Sequence, residues 1–395
     1  MSNRLLHGIV ITLLIFGFIA LMQLVTFRSH FFDPFNKGIK DYEVTDIVFS
    51  QFQDPEQVKR ETRVVLVHVE RPDRGELAAL IERIAAFSPT VIGVDILLEG
   101  SKDSLDDTRL ERTLDQTPNV VLAANLGEYA DSLGGIPKLI TAEERFTTEA
   151  TSAYTNFLAG EDRTIRHFSK QIKTLDGVNH DAFAVAIAAR HDSVAVARLL
   201  RRGRSVERIN YVGDYRSFLR IDAQAVLEAP DEALMLFGGR AVMIGYVDSR
   251  SPSAPLEDRH FTPLNPVYTG HSVPDMYGVV IHANILAMIL SAAYIFEFPA
   301  WIMWPLSFLL TLANVLLFRR IYHALPDTFH GITRALQLVE LLVLFFLVAA
   351  AFHYFDVHLN FSLGFLALIL AYDVVMIYES FIRKRIPLLK KLSDE

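Results

Sequence analysis

The 395-residue chain contains no cysteine. This absence excludes disulfide bonds, thiolate metal sites, lipidated cysteines and cysteine nucleophiles. Any soluble domain must therefore be stabilised by its apolar core alone. The roughly 270 residues between the first two hydrophobic segments are enough for one large domain of this kind.

Recognisable catalytic motifs are absent as well. The sequence has no G-x-S-x-G, P-loop, G-x-G-x-x-G or H-E-x-x-H motif. The histidines His260, His271 and His282 lack the short spacings that are typical of zinc sites. We therefore expect no enzymatic activity, no metal and no cofactor.

Apolar residues, in contrast, are in excess. They make up 51% of the chain, and the mean hydropathy is +0.27. The excess lies in four segments of about 20 residues, each long enough to cross a hydrocarbon core of about 30 Å. These segments are residues 5–27, 299–318, 336–355 and 361–381. The first lacks a small-x-small cleavage site, so we predict a retained anchor rather than a signal peptide.

The charge distribution predicts the orientation in the membrane. Residues 28–297 carry 29 basic and 39 acidic residues, a net charge of −10. The N-terminal end, the loop after the second hydrophobic segment and the C-terminal tail together carry 9 basic and 3 acidic residues. Basic residues favour the cytoplasmic side, so we predict that both termini are cytoplasmic and that residues 28–297 are outside. The acidic balance of that segment also argues against a nucleic-acid partner.

Residues 28–297 have the pattern of an α/β domain with a mainly parallel sheet. Apolar strand-like runs alternate with segments that have helical spacing, whereas residues 127–157 look like an insertion or a long loop. The predicted strands are "RVVLVHVE", "PTVIGVDILLEG", "NVVLAANL" and "GGRAVMIGYVD", with a further strand or hairpin in "DRTIRHFSKQI", and the predicted helices are "GELAALIERIAAFS", "DSLDDTRLERTLDQT" and "HDAFAVAIAAR".

The last external segment, "GVVIHANILAMILSAAYIF", is predicted to be a helix that continues directly into the second hydrophobic segment after Glu297 and Pro299. The resulting domains are an anchor at 1–27, the external domain at 28–297, a three-helix bundle at 298–382 and a basic cytoplasmic tail at 383–395.

Polar side chains at strand ends are candidates for ligand binding. Ligands of open parallel sheets bind outside the carboxyl ends of the strands, where Glu70, Asp95 and Asp248 are predicted. Asp95 follows an apolar run and needs a partner such as Arg166 or a backbone N–H group. We therefore list these four residues as candidates for an unknown small ligand. The alternative is that Asp95 only holds a loop in place.

Thr262, His282 and Asn284 are candidates for the junction between the "FTPL" loop at 261–264 and the last external helix. His282 and Asn284 are two residues apart and do not share a helical face. We expect one of them to hydrogen-bond the loop and to fix the start of the helix.

Three polar residues are predicted within the membrane: Asn314, Glu340 and Asp373. The structural interpretation is that they hold three spans together by interhelical hydrogen bonds. The functional hypothesis is that Glu340 or Asp373 receives a basic residue from a partner's span, or shares a proton when the bundle rearranges.

Five stretches resemble the CHASE type two domain, a bacterial extracytoplasmic sensory domain. They are "SPTVIGVDILL", "AYTNFLAGEDRTIRHF", "GRAVMIGYVD", "DRHFTPL" and "YGVVIHANILAMIL". The resemblance implies one N-terminal span, the sensory domain and three further spans in the bacterial inner membrane. In that family the last span usually leads into a cyclase or kinase, whereas only residues 383–395 follow here. One departure is Arg163 and Thr164, where the family often has an Asp-Gly turn.

The resemblance implies a sensory receptor subunit. Its periplasmic α/β domain would detect a small ligand or a partner and would signal through the spans to a separate effector protein. The alternative is a membrane-anchored scaffold or assembly component of a cell-envelope complex. Formation of a homo-oligomer and the identity of the ligand stay open.

Overall fold

The computed structural model describes residues 3–28, 44–51, 60–130, 135–160, 162–247, 258–265 and 273–390. The chain divides into two compact units. The sheet unit comprises residues 49–295, and the helical unit comprises residues 1–48 and 296–395. The candidate residue Asp248 lies outside the described residues. Two helices precede the sheet: α1 (Asn3–Arg28) and α2 (Val44–Gln51).

The sheet unit is an α/β domain built on a mainly parallel sheet, which confirms the predicted fold class. Seven strands form this sheet in the order β11-β1-β12-β2-β3-β4, with β5 paired to β3, and only β4 is antiparallel to its neighbour. These strands are β1 (Glu61–His68), β2 (Val91–Val94), β3 (Val120–Leu126), β4 (Leu139–Ile140), β5 (Thr151–Tyr154), β11 (Phe218–Asp222) and β12 (Ala241–Gly245).

Smaller strand pairs complete the unit. Three strands form a separate antiparallel sheet, and two hairpin-like pairs lie outside it. The former are β6 (Leu158–Ala159), β7 (Ile165–Ser169) and β10 (Val206–Arg208), and the latter are β8 (Gln171–Lys173) with β9 (Asn179–Asp181) and β13 (Arg259–His260) with β14 (Met276–Tyr277).

Helices cover the sheet, so the central strands β2 and β12 are buried along their whole length. Burial on both faces explains why these strands read as continuous apolar runs rather than alternating ones. The helices of the unit are α3 (Arg74–Ala85), α4 (Ser104–Gln116), α5 (Phe183–His191), α6 (Ser193–Arg201), α7 (Ala223–Glu228), α8 (Asp231–Leu234) and α9 (Gly278–Ser291).

Local sequence signals fix the helix starts. Asp73 accepts a hydrogen bond from the Glu76 backbone N–H, and the Glu76 side chain binds the Asp73 backbone N–H, so α3 begins with a capping box. Asp103 caps α4 in the same way, although without the reciprocal bond.

The structure differs from the predicted elements in two places that matter for function. Residues 127–157 are not simply a loop, because β4 and β5 extend the sheet beyond β3. The expected direct continuation of α9 into the second span is wrong. The helix ends at Ser291, Ala292 adopts a left-handed conformation with φ 53°, and the next helix begins only at Ala300.

The helical unit contains four helices that are long and apolar enough to cross a membrane, one N-terminal and three C-terminal, as predicted. The helix α1 is the first of them. The others are α10 (Ala300–Ala324), α11 (Phe329–Phe355) and α12 (Ser362–Ile377), which continues through a π-helical turn (Tyr378–Ile382) into α13 (Arg383–Arg385), followed by the short α14 (Pro387–Lys390). A parallel pair of short strands, β15 (Phe296–Glu297) and β16 (Val357–His358), also belongs to this unit.

Candidate functional site

Asp95 lies at the carboxyl edge of the parallel sheet. The strand β2 ends at Val94, and the Asp95 backbone N–H donates to Ile244 O of β12 at 2.8 Å. Gly245 ends β12 beside it. A Cβ atom on Gly245 would lie 2.9 Å from Val279 Cβ and 3.2 Å from Asp95 Cβ, so a glycine is required where α9 approaches this edge.

The Asp95 carboxyl group is half-buried and lacks a hydrogen bond or ion pair with any described residue. Burial, with a further contribution from the charge of Asp258, raises the pKa of Asp95 to about 7. The group is therefore partly protonated at neutral pH, and a cation that binds beside it would restore the charged form.

His282 lies on α9 with 3% of its surface exposed. Its ring stacks on Phe157 at 4.5 Å between centroids and meets Phe183 edge-on at 5.2 Å. Neither ring nitrogen has a hydrogen bond of standard geometry among the described residues. Burial, assisted by His260, lowers the pKa of His282 to about 3, although the Thr155 backbone has the opposite effect, so the ring is neutral.

The Phe157 ring lies close to both Asp95 and His282. Its ring also meets His260 edge-on at 5.1 Å. A Cβ atom on Gly278, the first residue of α9, would lie 3.6 Å from both Asp95 Oδ2 and Phe157 Cε2. Burial lowers the pKa of His260, while the nearby Asp258 has the opposite effect. We name this group the Phe157 cluster: Asp95, Phe157, Asp258, His260 and His282.

The other predicted ligand-binding residues lie elsewhere or are paired. Glu70 is exposed, and its carboxylate is 3.8 Å from His68 Nε2. Arg166 does not complement Asp95. Its guanidinium donates to the Asp162 carboxylate at 2.6 and 3.0 Å, and both side chains are buried.

Asp275, which was not among the predicted candidates, holds the "FTPL" loop at the start of α9. The backbone N–H and hydroxyl group of Thr262 donate to the Asp275 carboxylate at 2.9 and 2.5 Å. Burial raises the pKa of Asp275 to about 6, against the lowering effect of these bonds. Asp275 directly precedes β14 and α9, so it performs the role that we expected of His282 or Asn284.

Asn284 instead binds a different loop. Its Oδ1 accepts from the backbone N–H groups of Val212 and Gly213 at 2.7 and 3.2 Å, and its Nδ2 donates to Gly213 O and Val280 O at 2.9 Å. All its hydrogen-bonding capacity is used, and the residue is fully buried. Asn284 is therefore a structural clamp between α9 and the 212–213 loop.

The comparisons with known proteins fit this arrangement. The family model of the CHASE2 domain matches residues 13–319, well over half of the chain. The chain belongs to the CHASE2 domain family. No curated protein and no solved structure matches it. The protein is thus a multi-pass membrane protein with a CHASE2 extracytoplasmic sensory domain, and the matched region includes the whole Phe157 cluster.

The predicted intramembrane residues of this CHASE2 protein have partners within the chain. The Asn314 side chain donates to the Glu340 carboxylate, and Arg334 contacts Asp373 at 3.0 Å on the exposed side of the bundle. A basic partner for Asp373 is therefore already present. Three of the basic residues that we assigned to the loop after the second hydrophobic segment, namely Arg319, Arg320 and Arg334, lie within helices instead.

The described spans also contain a buried charge pair that was not predicted from the sequence. Arg319 Nε donates to Glu379 Oε1 at 2.6 Å, and Arg383 contacts Glu379 Oε2 at 3.0 Å. Glu379 lies inside the fourth hydrophobic segment. An acidic residue in such a segment needs a partner, so its position could have predicted a buried ion pair.

Proposed function

We propose that this CHASE2 protein is a sensory receptor of the bacterial inner membrane, and that its Phe157 cluster binds a small ligand carrying an ammonium group. One observation supports the proposal above all. The Asp95 carboxylate has no hydrogen bond or ion pair with a described residue, the His282 ring nitrogens have no hydrogen bond of standard geometry there, and both side chains lie near Phe157.

The chemistry of the cluster favours an organic ammonium ion. Asp95 and Asp258 attract positive charge, and the neutral His282 offers an acceptor for an N–H donor. The face of Phe157 suits a cation as well. The described residues contain no group of three metal-ligating side chains, so a metal ion is the weaker candidate.

Signalling from this site requires two arrangements with different ligand affinities. The helix α9 begins at Gly278, beside Asp95, so a ligand between Asp95 and Phe157 would act on the start of that helix. A displacement of α9 has to pass through residues 292–299, which are not helical, before it reaches α10. The predicted topology has both termini in the cytoplasm, where a separate effector would respond. The protein itself would have no catalytic activity.

Binding of simple amines to the full-length protein in detergent tests the site. We would measure the thermal unfolding midpoint with methylamine, choline, putrescine or arginine, with Mg²⁺ alone as the control cation. At least one amine should stabilise the wild type and should have little effect on Asp95→Asn. The matched control is Glu70→Gln, because it removes a carboxylate at a strand end outside the cluster and should respond like the wild type.

A second variant separates binding from folding. Gly278→Ala places a methyl group at ordinary contact distance, so the fold should persist while the space between Asp95 and Phe157 narrows. We expect this variant to keep its basal stability and to lose the response to the amine. Failure of all four amines, or equal responses in the wild type and Asp95→Asn, would contradict the proposal and favour the scaffold alternative.

A further inference from the structure

A cavity of about 520 Å³ lies in the helical unit, where α1 begins and α10 ends. This volume is within the range of small-molecule sites. The wall of the cavity combines basic and apolar side chains. It is lined by Arg4, Arg319, Arg320 and His323, together with Leu5, Leu316 and Ala324.

The described residues that line this cavity include four basic side chains. No acidic side chain is among the described residues that line it. The nearby carboxylate of Glu379 is already shared by Arg319 and Arg383, with His323 at 3.7 Å. Arg320 is exposed and forms no ion pair with any described residue. Arg320 therefore has guanidinium N–H donors that no described carboxylate uses.

The position of the cavity along the spans corresponds to the level of the lipid headgroups. Arg319 and Arg320 lie near the last turns of α10, which has 25 residues, and Arg4 lies in the first turn of α1. At the opposite end of α10, Trp301 and Trp304 are exposed, as is typical of residues at a membrane–water interface. A span with aromatic residues at one end and arginines at the other has its arginines at the second interface.

We infer that this cavity binds the phosphate group of an anionic phospholipid. Arginine forks match the geometry of phosphate oxygens, and basic pockets between spans are a recognised way of holding acidic headgroups. The apolar side chains Leu5 and Leu316 line the same cavity and provide contact for the glycerol and the start of an acyl chain. A free phosphate ion would use the arginines but not this apolar wall. The site belongs to the helical unit and does not depend on the function of the Phe157 cluster.

Native mass spectrometry of the full-length protein in mild detergent tests the inference. Phosphatidylglycerol and phosphatidylcholine with the same acyl chains would be compared, with inorganic phosphate alone as a third arm. We expect the wild type to retain phosphatidylglycerol preferentially. The double variant Arg4→Gln/Arg320→Gln should lose about 30-fold in affinity for it, because two basic side chains are removed.

Two controls make the result specific. Lys384→Gln removes a basic residue that does not line the cavity, and this variant should bind like the wild type. Arg4→Lys/Arg320→Lys keeps the charge and should retain most of the preference, so a loss confined to the glutamine variant follows from removal of the charge.

The inference is contradicted if both lipids bind equally, or if the glutamine double variant loses no more than Lys384→Gln does. If inorganic phosphate binds the wild type and neither lipid is preferred, the cavity is a site for free anions and the lipid assignment is wrong.

Discussion

At the scale of single residues, the Phe157 cluster contains two ionisable side chains without a complementary charge partner among the described residues. Two buried arginines elsewhere in the sheet unit do have such partners: Arg166 contacts Asp162, and Arg74 contacts Asp107. Asp95 and His282 lack such partners among the described residues. The pKa of Asp95 is raised and the pKa of His282 is lowered, and both shifts favour the neutral form of the side chain. In native proteins such groups usually have a partner, and where the protein supplies none, a bound ligand, ion or water takes its place.

Asp95→Asn should change how stability depends on pH. Because the pKa of Asp95 is about 7 in the folded protein and 3.8 in the unfolded chain, the folded state holds the proton more tightly. Stability from this group therefore falls as the pH rises from about 4 to about 7. Asparagine removes this loss, so the variant should be more stable than the wild type by roughly 2 kcal/mol at about pH 8.

Near pH 4 the two proteins should be almost equally stable, because the wild-type carboxyl group is then largely protonated. Thermal unfolding of both proteins across this pH range checks the prediction. A stability difference that does not vary with pH would show that the carboxyl group titrates normally.

At the scale of elements, the helix α9 contacts both the Phe157 cluster and a neighbouring loop. Its first turn meets Asp95, its second turn presents His282 to Phe157, and Asn284 binds the 212–213 loop. The residues that a ligand would contact and the residue that anchors the helix thus share one element.

Asn284→Ala should loosen the attachment of α9. The substitution leaves the N–H groups of Val212 and Gly213 without their acceptor in a buried place, which costs about 2–4 kcal/mol. Hydrogen exchange should show faster exchange in residues 209–214 and at the start of α9. Ser291→Ala is the matched control, because the Ser291 hydroxyl group only binds carbonyl groups of its own helix. Equal exchange in both variants would mean that Asn284 is not the clamp.

Part of this arrangement could be predicted from sequence, for physical reasons. Spans and central strands are continuous apolar runs, so the four segments and the strands around Asp95 are visible in one dimension. The edge strand β11 has only one buried residue, and β4 has only two residues, so neither is a continuous apolar run in the sequence. The neighbours of His282, namely Phe157 and His260, are likewise brought together only by folding.

At the scale of the whole molecule, sensing of an external ligand requires that the sheet unit lie outside and that both termini lie in the cytoplasm. Because the chain has no cysteine, single cysteines report on topology without background. Leu105 is 82% exposed in the sheet unit, and Lys384 lies near the C-terminus. Leu105→Cys should react with a membrane-impermeant maleimide in intact spheroplasts, whereas Lys384→Cys should react only after lysis. The reverse pattern would place the sheet unit in the cytoplasm.

For the protein to signal, occupation of the Phe157 cluster must change the arrangement of the spans. The most direct measurement is the rate at which Lys384→Cys in open membranes reacts with a maleimide, with and without the amine that stabilises the wild type most. We expect the amine to change this rate about twofold or more when Asp95 is present and to leave it unchanged in the Asp95→Asn background. A rate that does not respond to an amine shown to bind, or an equal response without Asp95, would contradict the claim.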